Sequence, residues 1–442
     1  MKTATQYTLE HAQQLDREDP LAQYRSQFHR PIDKHGKEYV YMCGNSLGLQ
    51  PKTTEAAIQQ ELEDWKKLGV EGHFKARNPW MPYHHFLRDA MAKVVGAKPQ
   101  EVVLMNTLSV NLHLMMVSFY RPTAERHKIV IESDAFPSDK YAVESQLRFH
   151  GLHPAIRSTR SHARIETFGE SFDLRKSKIE IRPRPGEVCL RHEDIYDLIE
   201  EQGDEIALIM LGNPNYYTGQ FLDMKAITER AHAKGITVGF DCAHGAGNRP
   251  LDLHDSGCDF AVWCTYKYLN GGPGAIAGTF VHERHSNRMD LPRFEGWWGH
   301  DQDTRFGMRD DFQPMPGADA WQLSNPPILA LAPVWASLKI FEEVGMAALR
   351  EKSIKLTGYL EELLNQLGRD RIRIITPHEP EQRGCQLSLQ VVGADKSLFD
   401  RLSDSGVIAD WREPDVIRVA PTPLYTSFTE VFEFVERLKN CM

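Results

Sequence analysis

Two charged residues, Asp241 and Lys267, follow directly on apolar runs of strand character. ITVGF at 236–240 leads into Asp241, and FAVWCT at 260–265 leads towards Lys267. Isolated charges are rare inside the core of a sheet. A carboxylate and an ammonium delivered by two strands either face solvent or share a ligand. One ligand that needs both is pyridoxal 5'-phosphate (PLP): its aldehyde forms a Schiff base with a lysine, and its ring nitrogen pairs with an anion.

Other stretches could complete such a site. Ser109 stands before an apolar helix expected at 110–120, where it reads as the N-cap. A helix start with a hydroxyl and free N–H groups is a phosphate site, although an ordinary capped helix needs no ligand. The strand KIVIE at 128–132 feeds SDAFPSD at 133–139. Ligands of open α/β sheets bind at strand C-terminal ends, so Phe136 is placed to stack on a flat ring and Asp139 to order it. Gly44, Asn45 and Ser46 favour a tight turn that either touches a ligand or is structural. His73 lies in an aromatic and imidazole-rich stretch without regular period and carries no claim by itself. Arg418 sits in the strand-like VIRV at 416–419, facing away from Ile417 and Val419. It suits bidentate capture of a carboxylate, or simply faces solvent.

The elements that must position these residues read as α/β. A chain of 442 residues holds about two to three domains. Thr54–Leu68 has helical periodicity and ends at Gly69. Strands and helices alternate over about 100–285, among them a strand at 206–211 and a helix at 225–234, which indicates a largely parallel sheet with crossover helices. SNPP at 324–327 opens a long helix that bridges into a smaller α+β domain. That domain is expected to hold strands at 372–375, 386–392 and 416–420, a helix at 398–405, and a last helix beginning at Ser427 with Glu430 as its capping box. We expect an N-terminal segment (1–60, a helix then a loop over its first 40 residues) packing with the C-terminal domain, a large domain (61–326) and a small one (327–442). The basic stretch at 150–190 carries no assignable chemistry.

Composition narrows the partners. The net charge is −9 with no long Lys/Arg run, which argues against nucleic acid and acidic membranes. The polar start lacks a signal-peptide pattern, and no apolar run reaches the roughly 18–20 residues of a membrane span. Seven scattered cysteines without a CxxC pattern read as reduced thiols of a cytoplasmic protein. No metal site is expected. HERH at 282–285 has the wrong spacing for a zinc helix, and Asp241 with His244 lacks further ligands. GGPG at 271–274 lacks the Lys-Ser/Thr of a phosphate loop, and GAG at 245–247 lacks the third glycine of a dinucleotide fingerprint.

Taken in order, these residues resemble the fold type I PLP enzymes, and most closely the kynureninase family. The resemblance rests on CGNSLGLQPK at 43–52, MNTLSVNLHLM at 105–115, AFPSDKYA at 135–142 and YYTGQ at 216–220. It continues through VGFDCAHGAGN at 238–248, WCTYKYLNGGPG at 263–274, GWWGH at 296–300, SNPPIL at 324–329 and IRVAPTPLY at 417–425. It implies that Lys267 forms the Schiff base and that Tyr266 beside it serves phosphate binding and proton transfer. Asp241 would pair with the ring nitrogen, with His244 near the ring. Phe136 would stack on the ring, with Pro137, Ser138 and Asp139 among its neighbours. Leu108 and Ser109 would hold the phosphate. Trp297 and Asn325 match cofactor- or substrate-contacting positions that reach across a homodimer interface. Arg418 would hold the substrate α-carboxylate, and Ser46 and His73 would line the substrate ring.

The implied reaction is hydrolytic Cβ–Cγ cleavage of L-kynurenine or 3-hydroxy-L-kynurenine to the matching anthranilate and L-alanine. His73 with Asn325 resembles the pattern of members preferring the 3-hydroxy substrate. Gly212 departs from the pattern, which often has Ser or Thr there; Asn213 or Asn215 could replace the contact. The glycines after Lys267 read as room for the chain beside the cofactor. The rival readings are a cysteine desulfurase, a class V aminotransferase, or a non-catalytic regulator on the same fold. Cys385, ahead of an expected strand, does not suit a desulfurase nucleophile, and the 40 or so residues before the first motif are too few for a regulator's DNA-binding part.

Overall fold

A computed structural model of the chain describes residues 7–152, 177–368 and 370–442. Much of the basic stretch at 150–190 therefore lies outside the described residues, as do the first six residues.

After a helix at Leu9–Glu18 the chain forms the short strand β1 (Val40–Tyr41). The large sheet follows with β2 (Val102–Leu104), β3 (Lys128–Glu132), β4 (Lys178–Ile181), β5 (Ile206–Gly212), β6 (Thr237–Asp241), β7 (Phe260–Trp263) and β8 (Gly278–Val281). Its spatial order is β2-β8-β7-β6-β5-β3-β4. Strands β4, β3, β5, β6 and β7 run parallel, and β8 opposes both of its neighbours. β3 and β7 are buried along their whole length, as parallel strands covered by helices on both faces must be. That burial is why they read as continuous apolar runs. Gly239 in β6 is demanded by packing: a Cβ there would lie 2.1 Å from the Phe260 ring.

The register sets the strand ends side by side. Gly212 pairs with Asp241 across β5 and β6, and Glu132 ends β3 on the other side of β5. The C-terminal edge of the sheet therefore presents Glu132, Gly212 and Asp241 in a row.

The second sheet consists of β9 (Ile372–Ile374), β10 (Leu387–Val391), β12 (Asp410–Arg412) and β13 (Val416–Val419), antiparallel in the order β12-β13-β10-β9. The intervening β11 (Val407–Ile408) pairs instead, in parallel, with β1. Ala12, Val40 and Met42 share a core with Leu389, Val419 and Phe434, so the start of the chain packs against its end. The last helix, Phe428–Cys441, has the expected capping box: Glu430 N donates to Ser427 Oγ at 3.1 Å and Ser427 N to Glu430 Oε2 at 3.0 Å. Such a cap contributes about 1 kcal/mol.

Several expected boundaries shift. The helix expected to begin with Ser109 as its cap is Leu108–Phe119, and Thr107 takes the cap position. Ser109 is the second residue inside it. β7 stops at Trp263, so Lys267 lies in the turn beyond the strand rather than at its end. The long helix starts at Ile328, after Pro327, not within SNPP. The strands β11 and β12 escaped the sequence pattern because two or three residues are too short to show a period; β1 lies within the strand-like apolar run that precedes Gly44. No helix among the described residues is long and apolar enough to cross a membrane.

Candidate active site

The turn after β6 and the turn after β7 bring the two opening charges together. Asp241 is buried, and its Oδ1 accepts the Ala243 N–H at 2.8 Å. The backbone then turns and presents His244. Beyond β7, Thr265 Oγ1 donates to Ile276 O at 2.5 Å, pinning the segment that carries Tyr266 and Lys267. Lys267 Nζ lies 2.9 Å from His244 Nε2. An ammonium only donates, so Nε2 accepts and Nδ1 carries the ring proton. Burial, reinforced by the Lys267 charge, holds the His244 pKa well below its ordinary value.

Acids outnumber cations around this pair. Asp139, in the first turn of the helix Pro137–Phe149, is 3% exposed. Burial and the neighbouring Asp241 and Glu132 push its pKa well up. Burial also raises Asp241, against the pull of Lys267 and a hydrogen bond from Asp139. Asp139 Oδ1 and His244 Nδ1 are buried with no partner among the described residues. Buried polar atoms are normally satisfied: the His244 Nδ1–H calls for an acceptor, and the carboxyl groups of Asp139 and Asp241 call for a group that bears a proton and positive charge. A protonated pyridine ring is such a group.

The cavity as a whole is about 140 Å³, and the rest of its lining suits the other parts of PLP. The helix Leu108–Phe119 begins without a side-chain cap, leaving N–H groups free for an anion. Ser109 Oγ lies 2.6 Å from Ser138 Oγ, two hydroxyls on one side of the cavity. Phe136 is 41% exposed and meets Tyr216 edge to face at 5.2 Å, leaving a ring face open. Burial, then Cys264, raises the Tyr266 phenol. The residues present fit PLP.

Leu108, Ser109, Phe136, Ser138, Asp139, Asp241, His244, Tyr266 and Lys267 line this one cavity. Other sequence-derived candidates stand apart from it. Pro137 only opens its helix. Arg418 is 1% exposed; its Nη1 donates to Tyr216 O at 2.6 Å, its Nη2 pairs with Asp410, and its Nε has no partner among the described residues. It reaches the cavity through Tyr216, which lines the wall. Ser46 is exposed, yet its turn packs on the lysine segment: Gly48 N donates to Tyr266 O at 2.8 Å. A Cβ on Gly48 would lie 2.2 Å from Lys267 O, so only glycine fits. His73 is half-buried, its Nδ1 2.9 Å from Val70 O and its ring edge-on to Trp80. Trp297 and Asn325 are exposed.

The glycines after Lys267 do not make room at the cavity. Gly272 and Gly274 have φ of +92° and +69° and turn the chain, while Gly271 packs against Thr265 and Val334. Sequence reasoning missed Glu132, Pro214, Tyr216 and Ala243 as cavity residues. Glu132 carried the same signal as Asp241, a charge closing an apolar strand.

Comparisons agree with this geometry. Residues 349–438 match the family model described as the kynureninase C-terminal domain. A kynureninase of Myxococcus xanthus is 58% identical over 97% of this chain and 96% of its own length. Those of Koribacter versatilis and Flavobacterium psychrophilum are 55% and 49% identical, covering 96% and 98% of this chain and 95% and 98% of their own lengths. Among solved structures, a C-DES mutant with glycine covalently linked to its PLP cofactor superposes with a TM-score of 0.74 at 16% identity, over 94% of this chain and 99% of that one. An apo cysteine desulfurase of Thermococcus onnurineus gives a TM-score of 0.71 at 17% identity, over 91% and 94%. These distant structures share the fold, that of fold type I PLP enzymes. The near-full-length relatives decide within it: the chain belongs to the kynureninase family.

Proposed function

We infer that the chain uses PLP to hydrolyse the Cβ–Cγ bond of L-kynurenine, its 3-hydroxy form, or both, releasing the anthranilate and L-alanine. The observation that carries the reading is the convergence of Lys267, Asp241 and Phe136 on one cavity at the sheet's C-terminal edge. Bound PLP supplies an electron sink for the carbanion chemistry. Asp241 would pair with its ring nitrogen, His244 and Phe136 would hold the ring, and Leu108, Ser109 and Ser138 its phosphate. Lys267 would take the proton from substrate Cα as general base. Tyr266, kept protonated by burial, would move a proton at the γ-carbonyl oxygen or at Cβ. Arg418 would hold the α-carboxylate, its unpartnered Nε offering a donor. An end-point assay for anthranilate and alanine, with wild type against Lys267→Ala, tests the reading; undiminished product from the variant would sink it.

A cysteine desulfurase shares the fold but needs an exposed reactive thiol. Cys385 is fully buried, its Sγ 3.0 Å from Asn248 Oδ1, and burial pushes its pKa up to about 12. This supports carbon–carbon hydrolysis over sulfur chemistry.

We also propose a cytoplasmic homodimer with the division 1–60, 61–326 and 327–442. The pairing of β1 with β11 supports the first boundary. The exposure of Trp297 and Asn325 away from their own cavity supports sites completed by a partner subunit. Mixing Lys267→Ala with Trp297→Ala protein should restore activity through hybrid dimers; a mixture as inactive as its parts would contradict shared sites.

A further inference from the structure

We propose that Glu132 is a positioning residue: latched to the Gly212 backbone, its carboxyl sets the charge against which the Asp139–Asp241 pair holds the ring nitrogen of PLP. The inference deepens the PLP reading and rests on it.

The geometry starts from the three strand ends. Both Glu132 carboxyl oxygens accept the Gly212 N–H, at 3.0 and 3.2 Å. A Cβ at position 212 would sit 2.8 Å from Glu132 Oε1. The carboxyl therefore occupies the space that a serine or threonine side chain would need there. Gly212 and Glu132 form a matched pair, which explains the departure noted in the sequence. Next along the sheet edge, Gly212 pairs with Asp241, so the latch ties Glu132 to β5, the strand beside the one that carries the ring-nitrogen partner.

Glu132 is 5% exposed and forms the wall between the PLP cavity and a second cavity of about 350 Å³. On the PLP side it shares the cavity lining with Asp139, Asp241, Lys267 and His244, and interacts electrostatically with the two aspartates. On the other side stand Asp134, Arg182, Arg184, Glu187 and the Asn215 amide. Burial chiefly, with Asp241, raises its pKa to about 7, while the Gly212 N–H and Asn215 draw it down. Glu132 thus changes charge near neutral pH. When ionised, it favours the protonated state of every group close to it, including Asp139 and the cofactor.

The test is an absorbance titration of the purified holoenzyme without substrate, following the pH midpoint of the PLP–Lys267 linkage. E132Q should move that midpoint down by about 1 pH unit. E132D keeps the charge and should stay close to wild type. A merely structural role would change the melting temperature of both variants and leave the midpoint in place. An unchanged midpoint in E132Q overturns the proposal. Should E132Q fail to fold, G212A takes its place: the added Cβ displaces the carboxyl and should shift the midpoint, and no shift overturns the proposal. A wild-type protein that binds no PLP would instead overturn the functional reading, and this one with it.

Discussion

The strands β6 and β7 carry a buried carboxylate at each end, and the two are built oppositely. At the N-terminal end, Asp259 accepts from Val238 N at 2.8 Å and lies 2.9 Å from His232 Nε2 and 2.8 Å from His285 Nε2. Arg284 stands 3.5 Å away. Burial pushes Asp259 up, but the hydrogen bonds from His232 and His285 outweigh it and hold the pKa well below the ordinary carboxylate range. At the C-terminal end, Asp241 accepts one backbone N–H and has two acids for neighbours, and its pKa is raised. Burial is common to both. What separates them is the completeness of the partner set: Asp259 is finished by the chain, and Asp241 borders an open cavity.

Breaking the contrast should separate activity from stability. Lys267→Ala should cut product formation at least ~10³-fold and abolish the absorbance of the cofactor linkage, with little change in the unfolding midpoint. Asp259→Ala strands two imidazoles and an arginine. It should cost about 3–5 kcal/mol in denaturant unfolding, while the folded fraction keeps its kcat/KM.

The two ends also give opposite pH dependence. Glu132 has a raised folded pKa, so the folded state binds the extra proton and stability falls as pH rises from the ordinary glutamate value towards about 7. E132Q should therefore gain on wild type across that window, by up to roughly 3 kcal/mol. Asp259 has a depressed folded pKa, so its contribution is complete above the ordinary aspartate value, about 3.9, and is lost as pH falls below it. The deficit of Asp259→Asn should accordingly shrink in acid. Asp241→Asn should lower kcat/KM about 100-fold and leave unfolding nearly unchanged; an equal loss of stability would erase the contrast. The smallest effect concerns substrate choice. His73→Ala should reduce kcat/KM for 3-hydroxykynurenine about tenfold more than for kynurenine, and equal losses would remove His73 from recognition of the hydroxyl.

Much of this contrast was already written in the chain. The runs before Asp241 and Lys267 are continuous because parallel strands are covered on both faces, so a charge at their ends stands out. Ser427 with Glu430 declared a helix start because a capping box is local chemistry. The motif order from residue 43 to 425 identified the family. Asp259 drew no notice, since its histidine partners lie 27 and 26 positions away and no period links them. Glu132 was passed over although it closes a strand, because its significance depends on Gly212, 80 positions on.

The sequence alone thus determined which chemical groups the protein has and the order in which strands and turns deliver them, since turn residues, caps and apolar periods act over a few positions. Tertiary structure decided which groups meet and in what charge state. Ser109 as a cavity hydroxyl rather than a cap, Gly48 against Lys267, and the crowding of Glu132, Asp139 and Asp241 all follow from sheet register. That register is set by burial of both sheet faces at once, a condition no local stretch of chain contains.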